Sequence, residues 1–140
     1  MPRAEFYLID QPRFREEPLL LVCKLAQRAV DAQLPTLVLA SSQEQAEELD
    51  ELLWAFDPDA FVPHQIAGDE EDEVTAVLIV PPGVTTPDRP LVVNLRDVCA
   101  AGDFETVKEV VPADPGEREG ARRRWREYQQ RGFEVGKFDV

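Results

Sequence analysis

Six arginines, at positions 118, 122, 123, 124, 126 and 131, crowd the segment GEREGARRRWREYQQRGF together with Trp125 and Tyr128. Guanidinium groups hold carboxylates through paired N–H donors, and an indole beside them offers an apolar face. The chemistry available to this segment is therefore capture of an anion that carries an apolar group. On a helix turning about 100° per residue from Ala121, the stripe facing inward holds Trp125, Tyr128 and Gly132. Arg118, Arg122 and Arg126 follow one border of that stripe, whereas Arg123, Arg124 and Arg131 fall elsewhere around the helix. A peptide with acidic residues and an apolar end suits such a border. Two other readings of the same residues stay open. One is a solvated helix whose arginines pair with Glu117, Glu119 and Glu127. The other is a stacking platform for single-stranded DNA centred on Trp125.

Elsewhere the chain is poor in reactive constellations. His64, in AFVPHQIAG, is the single histidine, and no serine stands in a nucleophile elbow. Beside a proline, His64 reads as a structural hydrogen-bonder rather than a base. The run DEEDE at 69–73 lacks the spaced ligands and central glycine of a calcium loop, so it reads as a solvated, mobile loop that aids solubility. Glu47, Glu48, Asp50 and Glu51 read as the wet face of a helix. Cys23 and Cys99 have neither metal nor redox spacing and read as buried, reduced thiols of a cytosolic protein. No metal and no cofactor is implied.

Those side chains need a scaffold, and the apolar runs outline one. EFYLID (5–10) reads as a strand. Residues 16–33 place Leu19, Val22, Cys23, Ala26, Ala29 and Val30 at helical spacing. PTLVLA (35–40) is a strand buried on both faces, and 41–56 is a helix capped by Ser42 with Ala46, Leu49, Leu53 and Phe56 on one side. AVLIV (76–80) and LVVNL (91–95) are further buried strands, separated by a proline-rich loop. TVKEVV (106–111) reads as an edge strand, and a last helix runs from about Pro115 to Arg131, where Gly132 stops it.

The alternation indicates a single α/β domain over 1–140, a mostly parallel sheet with helices on both faces. Such Rossmann-like folds often bind nucleotides after the first strand, where glycines let backbone amides approach phosphate. Here that segment is DQPRFREEP, without glycine, and no P-loop occurs. A nucleotide-dependent enzyme therefore lacks its phosphate cradle.

With 140 residues and a formal charge of −13, the chain can bury one core and repels phosphates on average. No window approaches the roughly eighteen apolar residues of a membrane span. Six of the fifteen lysines and arginines nevertheless lie in the one late segment.

The sequence resembles the chi subunit of bacterial DNA polymerase III nearly end to end. The likeness is carried by FYLID, by LVCKLA, by QAEELDELLWAFDPDAFVPHQIAG, by EVVP and by ARRRWREYQQRGF. It implies a parallel-sheet α/β fold without enzymatic activity, in a cytoplasmic protein of the replisome. It implies binding of the acidic C-terminal tail of single-stranded DNA-binding protein, whose last residue is phenylalanine, by Arg118, Arg122, Trp125 and Arg126 with Val111 nearby. Trp125 stands where tyrosine is also found. Through a separate surface the resemblance implies binding of the psi subunit, and through psi the clamp loader, by Trp54, Phe61, Pro63 and His64. Nucleic acid is reached only indirectly.

Overall fold

The computed structural model describes all residues from Met1 to Val140. Seven strands and four helices follow one another along the chain: β1 (Arg3–Leu8), α1 (Pro12–Glu16), α2 (Pro18–Asp31), β2 (Thr36–Leu39), α3 (Gln43–Ala55), β3 (His64–Ile66), β4 (Val77–Val80), β5 (Leu91–Asn94), β6 (Thr106–Val111), α4 (Pro115–Gln130) and β7 (Glu134–Asp139). The strands form one sheet in the order β3-β4-β2-β5-β6-β1-β7, and every neighbouring pair is parallel.

A parallel sheet must be covered on both faces, and two apolar clusters do this. On one side α2 and α3 press Val22, Cys23, Ala26, Ala46, Leu49 and Leu53 against Val38, Val77, Ile79 and Val93. On the other, α4 lays Ala121 and Tyr128 over Ala4, Phe6, Val107 and Val111. The strands β2, β4 and β5 are short and almost wholly apolar because both of their faces are covered. Ser42 caps α3 by accepting from the Gln45 N–H at 3.0 Å, as its sequence position suggests.

Local structure departs from expectation at four places. The helix read over 16–33 is α2 alone, opened by Pro18, and a separate short helix not read from the sequence, α1, precedes it with Phe14 buried; Glu17 between them lies outside helical geometry, at φ −139° and ψ 83°. β6 is no edge strand; it lies between β5 and β1. Its charged pair is accommodated there, since Glu109 is met by Arg124, and Lys108 lies over the Tyr7 ring near Glu5. Both true edges, β3 and β7, fall on segments with no apolar run. Lastly, the acidic 69–73 segment carries an ordered turn: Asp72 accepts from the Gln65 side chain and the Gly68 and Asp69 N–H groups, and a 3-10 turn covers Asp72–Val74.

Candidate functional site

Helix α4 starts where Asp114 accepts from the Gly116 N–H at 2.6 Å, with Pro115 in the first turn. It ends at Gln130, and Gly132 takes φ +88°, a conformation that favours glycine. Gly132 therefore lies past the helix, exposed, and is not part of an inward stripe. Gly120 is buried, and a Cβ there would sit 2.7 Å from Oδ1 of the exposed Asp97 side chain, which would have to shift to make room. Tyr128 is fully buried, donates to Glu109 at 2.7 Å and accepts from the Ala100 N–H at 2.9 Å. Trp125 is half-buried, its ring centroid 5.1 Å from that of Phe6.

Between α4 and the sheet opens a hollow of about 500 Å³. Its floor is apolar: Phe6 and Leu8 from β1, Val111 from β6 and Ala121 from the helix. Its helix side is Arg118, Arg122, Trp125 and Arg126, and its strand side includes Lys137 of β7. The structure thus brings Val111, Arg118, Arg122, Trp125 and Arg126 around a single cavity. Lys137 escaped the sequence reading, which found no strand after Phe133.

The arginines of the segment divide by partner. Arg124 is buried; its Nε donates to Glu109 at 2.9 Å and its Nη1 to Asp97 at 3.0 Å. Arg123 reaches Asp97 at 4.0 Å, and Arg131 pairs with Glu127 one turn back. Of the three glutamates considered as internal partners, only Glu127 is used. Arg118 donates to the Ile9 carbonyl at 3.1 Å, which fixes its guanidinium at the end of β1. No carboxylate lies within ion-pair distance of Arg118, Arg122 or Arg126. The ridge along the hollow is therefore unneutralised, and it borders apolar surface.

The buried network behind it is complete. Glu109 accepts from Arg124, Tyr128 and Asn94, the last at 2.8 Å. Burial pushes the Glu109 carboxyl up from its ordinary value, opposed by the Arg124 charge and by the three donors. Burial and the Glu109 charge raise the Tyr128 phenol as well. These groups support α4 and do not face the hollow. Cys99 is half-buried rather than buried, and burial with the neighbouring Glu127 pushes its thiol up to about 12.

A second surface lies at the far edge of the sheet. Trp54 and Phe61 are exposed, at 63% and 69%, with ring centroids 6.1 Å apart. Pro63 is half-buried beside them. His64 lies beneath: its side chain is buried, its ring is 4.8 Å from Trp54, and its two nitrogens face the Val62 carbonyl at 2.6 Å and the Asp50 carbonyl at 3.0 Å. It is a support for Trp54 and a structural hydrogen-bonder, and it does not itself reach the surface.

Comparison with known proteins agrees with this architecture. The family model described as DNA polymerase III chi subunit, HolC, matches residues 1–136. The DNA polymerase III subunit chi of Pseudomonas aeruginosa is 33% identical over 139 residues, spanning 95% of this chain and 93% of that protein. That of Escherichia coli is 30% identical, spanning 96% of each. Among solved structures, the C-terminal domain of the DEAD-box protein Dbp5 superposes with a TM-score of 0.64 at 11% identity, over 99% of this chain and 90% of that one. The crystal structure of T4 UvsW gives 0.64 at 12% identity, over 99% of this chain and 41% of that one. These two likenesses concern the fold alone.

Proposed function

The chain belongs to the DNA polymerase III chi subunit family, and from that membership we propose that it is a non-catalytic adaptor of the replisome. Its hollow takes the acidic C-terminal tail of single-stranded DNA-binding protein. The last side chain of the tail sits on Phe6, Leu8 and Val111, walled by Trp125. Its carboxylate end meets Arg118, Arg122 and Arg126. The single observation that carries this reading is that three arginines without acidic partners border an apolar cavity of about 500 Å³ in a protein of net charge −13. Unpaired cations beside apolar surface suit a ligand that brings both charge and hydrocarbon.

The Trp54–Phe61 surface docks the psi subunit and through it the clamp loader. Two exposed aromatic rings side by side are the kind of anchor that interfaces use, and His64 with Asp50 beneath them holds Trp54 in place. The two surfaces belong to opposite regions of the sheet, α4–β1–β7 and α3–β3, so both partners fit on one chain at once.

Titration with a tail peptide tests the proposal. Arg122→Ala weakens binding about five- to tenfold, the value of a partly exposed guanidinium–carboxylate pair. Arg123→Ala, whose side chain points toward Asp97, changes it less than about twofold. Equal effects at the two positions rule the ridge out.

A further inference from the structure

The arginines line only the helix side of the hollow, and the other side has a cation of its own. In the β1–β7 register Lys137 stands opposite Phe6. Opposed residues of neighbouring strands send their side chains to the same face. Phe6 forms the floor, so the Lys137 ammonium rises at the strand margin of that floor. It is exposed and has no acidic partner within ion-pair distance. Its neighbour in the chain, Phe138, turns to the opposite face and stacks on Tyr7 at 5.2 Å. That contact helps to hold β7 in register and so keeps Lys137 on the cavity side.

Two charged walls with an apolar floor between them impose a geometry on the occupant. When a terminal side chain points down onto Phe6 and Val111, the carboxylate of its own backbone and the side chains before it leave in different directions. One set meets the helix and the other meets the strand. We propose that Lys137 is a second, separate anion contact of this site, taking the side-chain carboxylates that precede the last residue of the tail. Arg122 and its neighbours take the terminal carboxylate. The inference rests on the reading of the hollow as a tail receptor. It adds a specificity element from β7, so that acidity upstream of the terminus is recognised separately from the terminus itself.

Three peptides separate the contacts: an acidic one ending in a free phenylalanine carboxylate, the same peptide with its acidic residues changed to asparagine, and the acidic one with an amidated end. Each is titrated by fluorescence anisotropy against the intact wild-type chain, Lys137→Gln and Arg122→Ala, at about 50 mM salt so that surface charge is only partly screened. Lys137 is exposed, so equal melting temperatures are expected for wild type and Lys137→Gln. The expected result is a two- to fivefold loss, about the size of an exposed ion pair, for Lys137→Gln with the acidic peptide and none with the asparagine peptide. Amidation costs Lys137→Gln as much as it costs wild type, and Lys137→Arg restores binding. Unchanged binding by Lys137→Gln alongside weakened binding by Arg122→Ala overturns the Lys137 contact and leaves the tail reading standing. A loss of equal size for the acidic and asparagine peptides also overturns it. Absence of wild-type binding to the acidic peptide overturns both.

Discussion

Arg122 and Arg124 lie two positions apart on α4 and do opposite work. Arg122 is exposed on the rim of the hollow, whereas Arg124 is 6% exposed and bound to Glu109 and Asp97. The wheel separates them by about 200°, which is enough to send one to solvent and the other between helix and sheet. Removing Arg124 leaves the Glu109 carboxylate buried with only Asn94 and Tyr128 as donors. Breaking a buried ion pair from one side costs about 3–5 kcal/mol. Arg124→Ala is therefore expected to lower the urea midpoint by that equivalent, and Arg122→Ala to change stability by less than about 0.5 kcal/mol. A joint change of Arg124→Met with Glu109→Gln removes both charges and should recover part of the loss, which a double-mutant cycle measures. Comparable destabilisation by Arg122→Ala and Arg124→Ala would contradict the division of the segment into supporting and receiving arginines.

Among the elements, those whose signal is local were legible and those whose signal is tertiary were not. β2, β4 and β5 are continuous apolar runs, and α4 has its cap, its first-turn proline and its terminal glycine in the right places. β7 reads EVGKFD, with exposed residues and a glycine, and becomes a strand only because β1 offers a free edge. β6 looked like an edge because Lys108 and Glu109 interrupt it, and the arginine that neutralises Glu109 lies fifteen positions later. The helix side of the candidate site was thus readable from spacing, while its strand side was hidden with β7. The acidic 69–73 segment shows the same limit, for its order comes from Asp72 bonding to Gln65 and Gly68 and from Arg89 donating to the Asp72 carbonyl at 2.6 Å. Burial is the largest single influence on the Asp72 carboxyl and raises it, but the Gly68, Gln65 and Asp69 donors and the Arg89 charge together outweigh it and hold the group below its ordinary value. A depressed carboxylate contributes stability above its unfolded pKa of about 3.9 and loses it as pH falls through the folded value. Asp72→Asn should therefore cost about 0.5–1 kcal/mol at pH 7 and progressively less below about pH 4, read from urea midpoints at both pH values. A cost that is the same at pH 7 and pH 2.5 would mean that the charge of Asp72 contributes nothing to the turn.

Over the whole molecule, the field opposes the site. A charge of −13 surrounds a hollow edged by Arg118, Arg122, Arg126 and Lys137, and an acidic tail is repelled by most of the surface it approaches. The two effects have different ranges. Attraction acts between groups in contact, whereas repulsion is summed over carboxylates spread across the protein. At about 10 mM salt the Debye length is roughly 30 Å and the distant carboxylates reach the ridge. At about 150 mM it is roughly 8 Å, and they are largely screened while the contacts are not. Near 1 M, at roughly 3 Å, the contacts themselves weaken. Tail-peptide affinity should accordingly rise and then fall with salt, with its maximum between about 10 and 500 mM. A long polyphosphate such as single-stranded DNA cannot confine its charge to the hollow and continues over acidic surface, so the repulsion left at short range favours the short tail over the oligonucleotide. Anisotropy titrations of both ligands across this range read the outcome directly. Tight oligonucleotide binding at about 150 mM salt, or peptide affinity that only declines from the lowest salt upward, would show that the local cations dominate and that the acidic bulk is irrelevant to recognition.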